Sequence, residues 1–436
     1  MPLVVAAWAA IGTDALKRGA RRRHPWLSER PLRWSRAMLS QEENDFLTRV
    51  GPGTPAGEFL RRYWHVVAYV QELTEESPTR FVRLLGEDLV LFLDKAGRVG
   101  LLADHCSHRG ASLLYGRVEE RGIACAYHGW LYDCEGNILE TPPERNDAIM
   151  RSVKHTAYPV QRFIGMYWAY LGPLPAPVIP KYDLWTRRDG TLHNFKQPSL
   201  DCNWFQAMEN SADPAHAPIL HQTKVGGPNK RLTSTTRGYI DEVKSISFEE
   251  VSYGLMKIQT YWKPEFDQHP LIFPNMLRAN NAIQIRVPVD DTHTDDLFVR
   301  FTPTDDGSVA PDQGDPPVSY MPPHKDPPDA LHPFTRFDMD LDVQSQDHMA
   351  WETQGPIANR AAEHLAYSDR GIVMFRNMVK REIEKVQRGL DPLGLVRDPD
   401  HEMIDTNLEP ELQEIGLERL KRRDAEMTRR ALNAPR

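Results

Sequence analysis

Residues 104–130 read DHCSHRGASLLYGRVEERGIACAYHGW, and the fold turns on them. Two cysteines and two histidines are spaced Cys-X-His-X16-Cys-X-X-His, with Cys106 and His108 on one loop and Cys125 and His128 on a second. A tetrahedral zinc draws paired ligands from wider spacings such as Cys-X-X-Cys, because one intervening residue rarely lets two side chains reach one small ion. Cys-X-His suits a two-iron cluster, in which the two cysteines hold one iron and the two histidines the other, so that neighbours on a loop serve different metals. Gly110 and Gly129 follow the two histidines and permit the tight backbone approach that hydrogen bonds to the sulfurs require.

His108-Arg109-Gly110 and His128-Gly129-Trp130 resemble the two cluster loops of Rieske proteins. The resemblance implies a [2Fe-2S] cluster whose neutral histidines raise its reduction potential above that of all-cysteine clusters. The segment ENDFLTRVGPGTPAGEFLRRYW, residues 43–64, resembles the opening of terminal oxygenase subunits in the phthalate dioxygenase-like branch of the Rieske oxygenases. The similarity runs from about Met38 to Arg388 and takes in RAAEHLAYSDRGIVMFRNM, residues 360–378.

A chain of 436 residues is long for one core and suggests two domains. A mean hydropathy of −0.54 and the lack of any long apolar run exclude a membrane span. The net charge of −8 argues against a nucleic-acid surface. Four cysteines make no disulfide framework and point to a reducing cytoplasm, with Cys134 and Cys202 expected to pack as small apolar residues. Residues 1–37 carry eight Lys or Arg against two acids, and read as a disordered basic extension or an upstream start.

Residues 38–172 are expected to form an all-β module that holds the cluster. Ser40 and Glu43 make a capping box for a short helix, and the run Phe59–Val67 reads as the first strand. Asp94–Gly97 reads as a hairpin turn, and the Pro-rich stretch from Gly172 to Pro177 as a domain boundary. Residues 173–400 should form an α+β domain whose antiparallel sheet is covered by helices. Its strands are expected at Ser245–Val251, Leu255–Trp262, Asn281–Val287 and Asp296–Thr302, and its helices at Met339–Gln354 and Asn359–Arg388. The proline-rich residues 303–333 read as an irregular surface loop, and Glu409 to Asn433, within residues 401–436, as a helical tail.

A cluster that only moves electrons calls for an acceptor, and residues 209–221 supply one. They contain Asn-X-X-Asp-X-X-His-X4-His, with Asn210, Asp213, His216 and His221. On an ideal helix His216 and His221 would stand about 140° apart. Pro218 removes a helical hydrogen bond, and a widened turn there would carry both imidazoles onto one face. Two histidines and one carboxylate on one face of Fe(II), with other positions open, form the non-haem oxygenase arrangement. The carboxylate must come from downstream, where Asp338, Asp340, Asp342, Asp347, Glu352 and Asp369 are candidates. The family resemblance selects Asp347, which follows Gln346 as the branch's acidic ligand follows its Gln or Glu. Asn210 is expected beside the ligands without touching the metal.

The resemblance further implies that Asp213 bridges the two centres by bonding to the partner subunit's His128, in a homotrimer or a hexamer of stacked trimers. Asp213 also suits a cap on the helix before Pro214. The chain has no Gly-X-Gly-X-X-Gly dinucleotide unit, so electrons from NADH are expected through a separate flavin/iron–sulfur reductase or a ferredoxin. The implied activity is O2-dependent oxidation of an aromatic carboxylic acid by ring hydroxylation or O-demethylation, with methoxylated lignin-derived acids such as dehydrodivanillate as the second substrate class. A carboxylate would need a cation, and Lys224, Lys230, Arg231 and Arg237 stand close after the iron histidines. Rival readings are a Rieske electron carrier and a catalytically dead scaffold; neither accounts for the whole Asn210-to-His221 pattern beside Asp347.

Overall fold

The computed structural model describes residues 38–221, 243–261, 266–326, 336–338 and 343–406. The basic extension and the tail helix expected at Glu409 to Asn433 lie outside the described residues. Ser40 caps the helix Gln41–Thr48 through the expected capping box, with each partner's side chain accepting from the other's amide at 3.0 to 3.1 Å. A second helix, Pro55–Leu60, then takes Phe59 and Leu60 out of the strand expected there. Thr54 accepts from the Gly57 amide and Pro55 occupies the first turn, a helix start that outweighs the strand character of the apolar run.

The following strands are β1 (Trp64–Tyr69), β2 (Thr79–Leu84), β3 (Glu87–Leu93), β4 (Val99–Ala103), β5 (Arg117–Glu119), β6 (Gly122–Ala124), β7 (Leu131–Tyr132), β8 (Ile138–Glu140), β9 (Ala157–Tyr158), β10 (Val160–Phe163) and β11 (Met166–Tyr170). They form three antiparallel sheets, ordered β1-β11-β10, β2-β3-β4-β9 and β5-β6-β7-β8. The cluster loops join β4 to β5 and β6 to β7. Beneath them a core of Val90, Phe92, Leu102, Leu113, Ile123, Trp130, Tyr132 and Ile138 includes both cluster cysteines.

Beyond β12 (Lys181–Tyr182), an eight-stranded sheet is built from β13 (Gly190–Lys196), β14 (Val243–Val251), β15 (Gly254–Tyr261), β16 (Phe266–Ile272), β17 (Met276–Ala279), β18 (Ala282–Pro288), β19 (Thr294–Pro303) and β20 (Val318–Tyr320). Its order is β14-β15-β16-β17-β18-β19-β13-β20, antiparallel except for the β13 and β20 pair. The four expected strands are β14, β15, β18 and β19. The expected irregular loop is corrected in part, because Val318–Tyr320 docks on β13 and Lys325–Asp326 pairs with Arg336–Phe337. Prolines on either side of Val318–Tyr320 and of Lys325–Asp326 confine these short pieces to sheet edges.

The helices Trp204–Ala212, Val343–Glu352 and Arg370–Gln387 pack with this sheet; Phe205 stacks on Phe375, and Arg286 of β18 lies over Trp351. The last helix starts at Arg370 rather than near Asn359. Arg360 is the reason: its guanidinium is drawn into the interior to reach Glu209 and Asn44, which fixes the preceding backbone in an irregular path. Glu209 thus lies between two buried guanidiniums, those of Arg360 and Arg376. Burial alone would push the Glu209 carboxyl up, yet the two cations hold it below its ordinary value.

Candidate active site

The two loops that present the cluster residues share one hydrogen-bond plan. In the first, the Cys106 amide donates to the Ala111 carbonyl and the Gly110 amide to the Cys106 carbonyl; in the second, the Cys125 amide donates to the Trp130 carbonyl and the Gly129 amide to the Cys125 carbonyl. Gly110 and Gly129 adopt φ of 72° and 71°, the left-handed conformation that lets each loop fold back. His108 and His128 consequently meet, with ring centroids 4.5 Å apart, and His108 stacks on Trp130 at 4.6 Å. Tyr132 places its hydroxyl 3.0 Å from the Cys106 sulfur.

This donor set fits a two-iron cluster. Nδ1 of His108 is buried without a hydrogen-bond partner, as a nitrogen reserved for a metal would be. Burial and the neighbouring Cys106 both push the Cys125 thiol up, so thiolates there need a compensating cation.

At the second site the chain breaks where a widened helical turn was expected. The helix Trp204–Ala212 ends at Asp213, whose extended backbone precedes Pro214, and a new single turn, Ala217–Leu220, starts after His216 and stops at His221. The two histidines therefore flank that turn, one before it and one after it. Their rings meet edge to face, 5.2 Å between centroids.

Asp347 comes from the helix Val343–Glu352. Its Oδ1 lies 3.6 Å from Nε2 of His216 and 3.5 Å from Nε2 of His221, and the three ligand atoms lie within 4.8 Å of one another. Among the described residues this is the one such group of three. Nδ1 of His221 is 3.1 Å from Oε1 of Gln346, which leaves its Nε2 for a metal; Nδ1 of His216 lies 3.4 Å from Oδ2 of Asp213, a contact at ion-pair distance without a hydrogen bond, and its Nε2 faces Asp347. The arrangement fits a divalent iron held on one face. Asn210 donates to Oδ1 of Asp347 at 3.3 Å. Asp213 closes the helix Trp204–Ala212 through its backbone, its amide donating to the Asn210 carbonyl, while its side chain accepts from the Ala215 amide at 2.7 Å in the non-helical stretch that follows. Although burial pushes its carboxyl up, His216, that amide and Lys257 together hold it below the ordinary range.

A cavity of about 400 Å³ adjoins His216, His221 and Asp347. Its wall includes Lys257 of β15, His269 of β16, Leu277 of β17, Gln284 of β18, and Phe298 and Arg300 of β19. Lys257 and His269 oppose each other across one strand pair, Gln284 and Phe298 across another, so one face of the sheet forms this wall. These residues were not singled out from the sequence. Their signal was strand alternation: Phe298 and Arg300, like Leu277 and Ala279, recur at every second position and all line the cavity. Lys224, Lys230, Arg231 and Arg237 lie outside the described residues.

Residues 63–162 match the Rieske [2Fe-2S] domain family, and residues 338–405 match the LigXa C-terminal domain like family. The chain is 39% identical to the 5,5'-dehydrodivanillate O-demethylase oxygenase subunit of Sphingobium sp. (strain NBRC 103272 / SYK-6), over 83% of this chain and 84% of that protein. It belongs to the Rieske non-haem iron oxygenases. Within them this terminal oxygenase subunit falls in the phthalate dioxygenase-like branch, being 33% identical to the phthalate 4,5-dioxygenase oxygenase subunit of Pseudomonas putida, over 82% of this chain and 89% of that protein. The oxygenase also shares its fold with NdmA of Pseudomonas putida CBB5, solved as a QL mutant with caffeine, at a TM-score of 0.56 and 22% identity, covering 78% of this chain and 98% of that one. No helix among its described residues is long and apolar enough to cross a membrane.

Proposed function

We propose that this oxygenase removes a methyl group from a methoxylated aromatic carboxylic acid. The observation that carries the reading is the cavity beside His216, His221 and Asp347, whose sheet wall combines apolar faces for a ring, Leu277 and Phe298, with the cations Lys257 and Arg300. The 39% identity to a dehydrodivanillate O-demethylase subunit favours demethylation over ring hydroxylation. The overall reaction takes an aryl methyl ether, O2, two electrons and two protons to the phenol, formaldehyde and water.

When bound, the iron–sulfur cluster supplies one-electron transfer and the mononuclear iron supplies dioxygen reduction. Cys106, Cys125, His108 and His128 would hold the first, and His216, His221 and Asp347 the second. Gln346 and Asp213 fix the orientations of the two imidazoles, Asn210 steadies Asp347, and the sheet wall holds the ring against the ligands. Electrons would come from NADH through a separate flavin/iron–sulfur reductase, because the sequence carries no dinucleotide unit of its own. Asp213, beside the iron ligand His216, would face the partner subunit's His128 in a trimer or stacked trimers, passing electrons between subunits in the cytoplasm.

Turnover with a surrogate NADH-dependent reductase and a panel of methoxylated aromatic acids tests the reading. One formaldehyde per O2 consumed is expected. A cis-diol or catechol without formaldehyde would make the enzyme a ring hydroxylase, and no O2 uptake with any acid would remove the carboxylic acid class.

A further inference from the structure

One buried histidine from outside the two cluster loops reaches into the first of them. His155 lies just before β9, and its amide donates to the Gly136 carbonyl at 2.9 Å. The Ala103 amide donates to the carbonyl of the next residue, Thr156, at 3.0 Å, and β9 pairs with β4 through Ala157 and Leu102. The backbone at His155 is therefore fixed beside the point where β4 runs into the loop of Cys106 and His108.

Both ring nitrogens of His155 are engaged. Nε2 lies 2.8 Å from the Ala103 carbonyl, which can only accept, so this nitrogen carries the ring proton. Burial pushes the imidazole's pKa down, although the Ala103 carbonyl pulls the other way, and the ring is neutral. Nδ1 is then an acceptor, and the Ser107 hydroxyl, 2.7 Å away, donates to it. Ser107 stands between Cys106 and His108, so the one side chain clamps the loop at its base and again beside its cysteine.

The same ring lies against Tyr132, with centroids 4.6 Å apart and planes tilted by 42°. Tyr132 is the residue whose hydroxyl stands 3.0 Å from the Cys106 sulfur. Burial and that sulfur raise the pKa of the hydroxyl, against the pull of the Ser107 amide, so it keeps a proton to donate. A hydrogen bond to a thiolate stabilises the more negative, reduced form of a cluster.

We infer that His155 is a positioning residue for the iron–sulfur cluster: by holding Ser107 and Tyr132 it keeps the Tyr132 hydroxyl on the Cys106 sulfur, and through that bond it raises the reduction potential. The inference rests on the ligation by Cys106, His108, Cys125 and His128 proposed above, and adds a residue from outside that motif.

The experiment measures the potential of the cluster-loaded full chain by spectroelectrochemistry, with iron content, the visible and EPR spectra and urea unfolding alongside. His155→Leu removes both hydrogen bonds and the ring face. It is expected to shift the one-electron equilibrium toward the oxidised state by about three- to tenfold, a fall of about 30 to 60 mV. His155→Gln, which still offers a donor to the Ala103 carbonyl, and Ser107→Ala, which removes one bond of the clamp, should each show a smaller fall, and they carry the reading if His155→Leu does not load its cluster. In a Tyr132→Phe background His155→Leu should lower the potential no further, because the bond it supports is already gone. Variants that lose stability in urea yet keep the wild-type potential would make the histidine merely structural and overturn the inference, leaving the ligation standing. Additive shifts in the double variant overturn it as well, since His155 would then act by a route other than Tyr132. A wild-type chain that assembles no Rieske spectrum overturns the ligation and the inference together.

Discussion

Oε1 of Gln346 lies 3.1 Å from Nδ1 of His221, and the next residue along, Asp347, presents its own oxygen 3.5 Å from the opposite nitrogen of the same ring. One turn of one helix would thus supply both a ligand and the group that orients another ligand. Gln346→Leu should lower iron affinity and turnover by about 10- to 100-fold, as loss of such an outer partner does elsewhere. Iron content per chain checks this against the visible spectrum of the cluster, which should be unchanged.

The Glu209 knot holds the helix that precedes His216 and His221. Glu209→Leu would leave the Arg360 and Arg376 guanidiniums buried, with Arg360 having only Asn44 and a backbone carbonyl on its polar edge. A loss of roughly 3–5 kcal/mol is expected, read from urea unfolding. Replacing all three residues with apolar ones should recover much of it.

His65 is fully buried, with Nε2 against the Leu60 carbonyl at 2.9 Å, and burial pushes its pKa down to about 4. Its unfolded value is near 6.5, so between those two pH values the unfolded chain binds a proton that the folded chain does not. The contribution is fully present above about pH 6.5 and is lost as the pH falls toward 4. Stability at pH 5 should be about 2 kcal/mol below that at pH 8 from this group alone. Denaturant titrations of the wild type and of His65→Gln should show the shallower pH slope in the variant.

The Tyr132 hydroxyl, 3.0 Å from the Cys106 sulfur, would donate to a cluster thiolate and favour the reduced state. Tyr132→Phe should therefore lower the reduction potential measured by spectroelectrochemistry while leaving the iron content intact. A potential unchanged within error would show that the hydroxyl serves packing alone.

Much of the molecule could be read from residue order because its chemistry is local. Cys106, His108, Cys125 and His128 lie on two loops of fixed spacing, and their glycines sit where the left-handed turns occur. His216 and His221 are close in the chain, and Pro214 and Pro218 break the regular helix that would have set them about 140° apart. Strand alternation identified β14, β15, β18 and β19. It failed at Phe59 and Leu60, where Thr54 and Pro55 start a helix first. It also failed at Val318–Tyr320, whose pairing with β13 is set by a distant strand and not by its own residues.

What the sequence determined by itself is therefore the kind of protein: the cluster motif, the histidine pair and the family resemblance pointed to a Rieske oxygenase subunit, and residues 63–162 match the Rieske [2Fe-2S] domain family. Tertiary structure alone decided which charged side chains line the cavity beside His216, His221 and Asp347. Alternation says that Gln284, Arg286, Phe298 and Arg300 point to one side of their strands, but not whether that side meets solvent or the helix bearing Asp347. Only the packing of that helix over the sheet turns a surface arginine into a wall of the active site, because burial and proximity are properties of elements brought together from far apart in the chain.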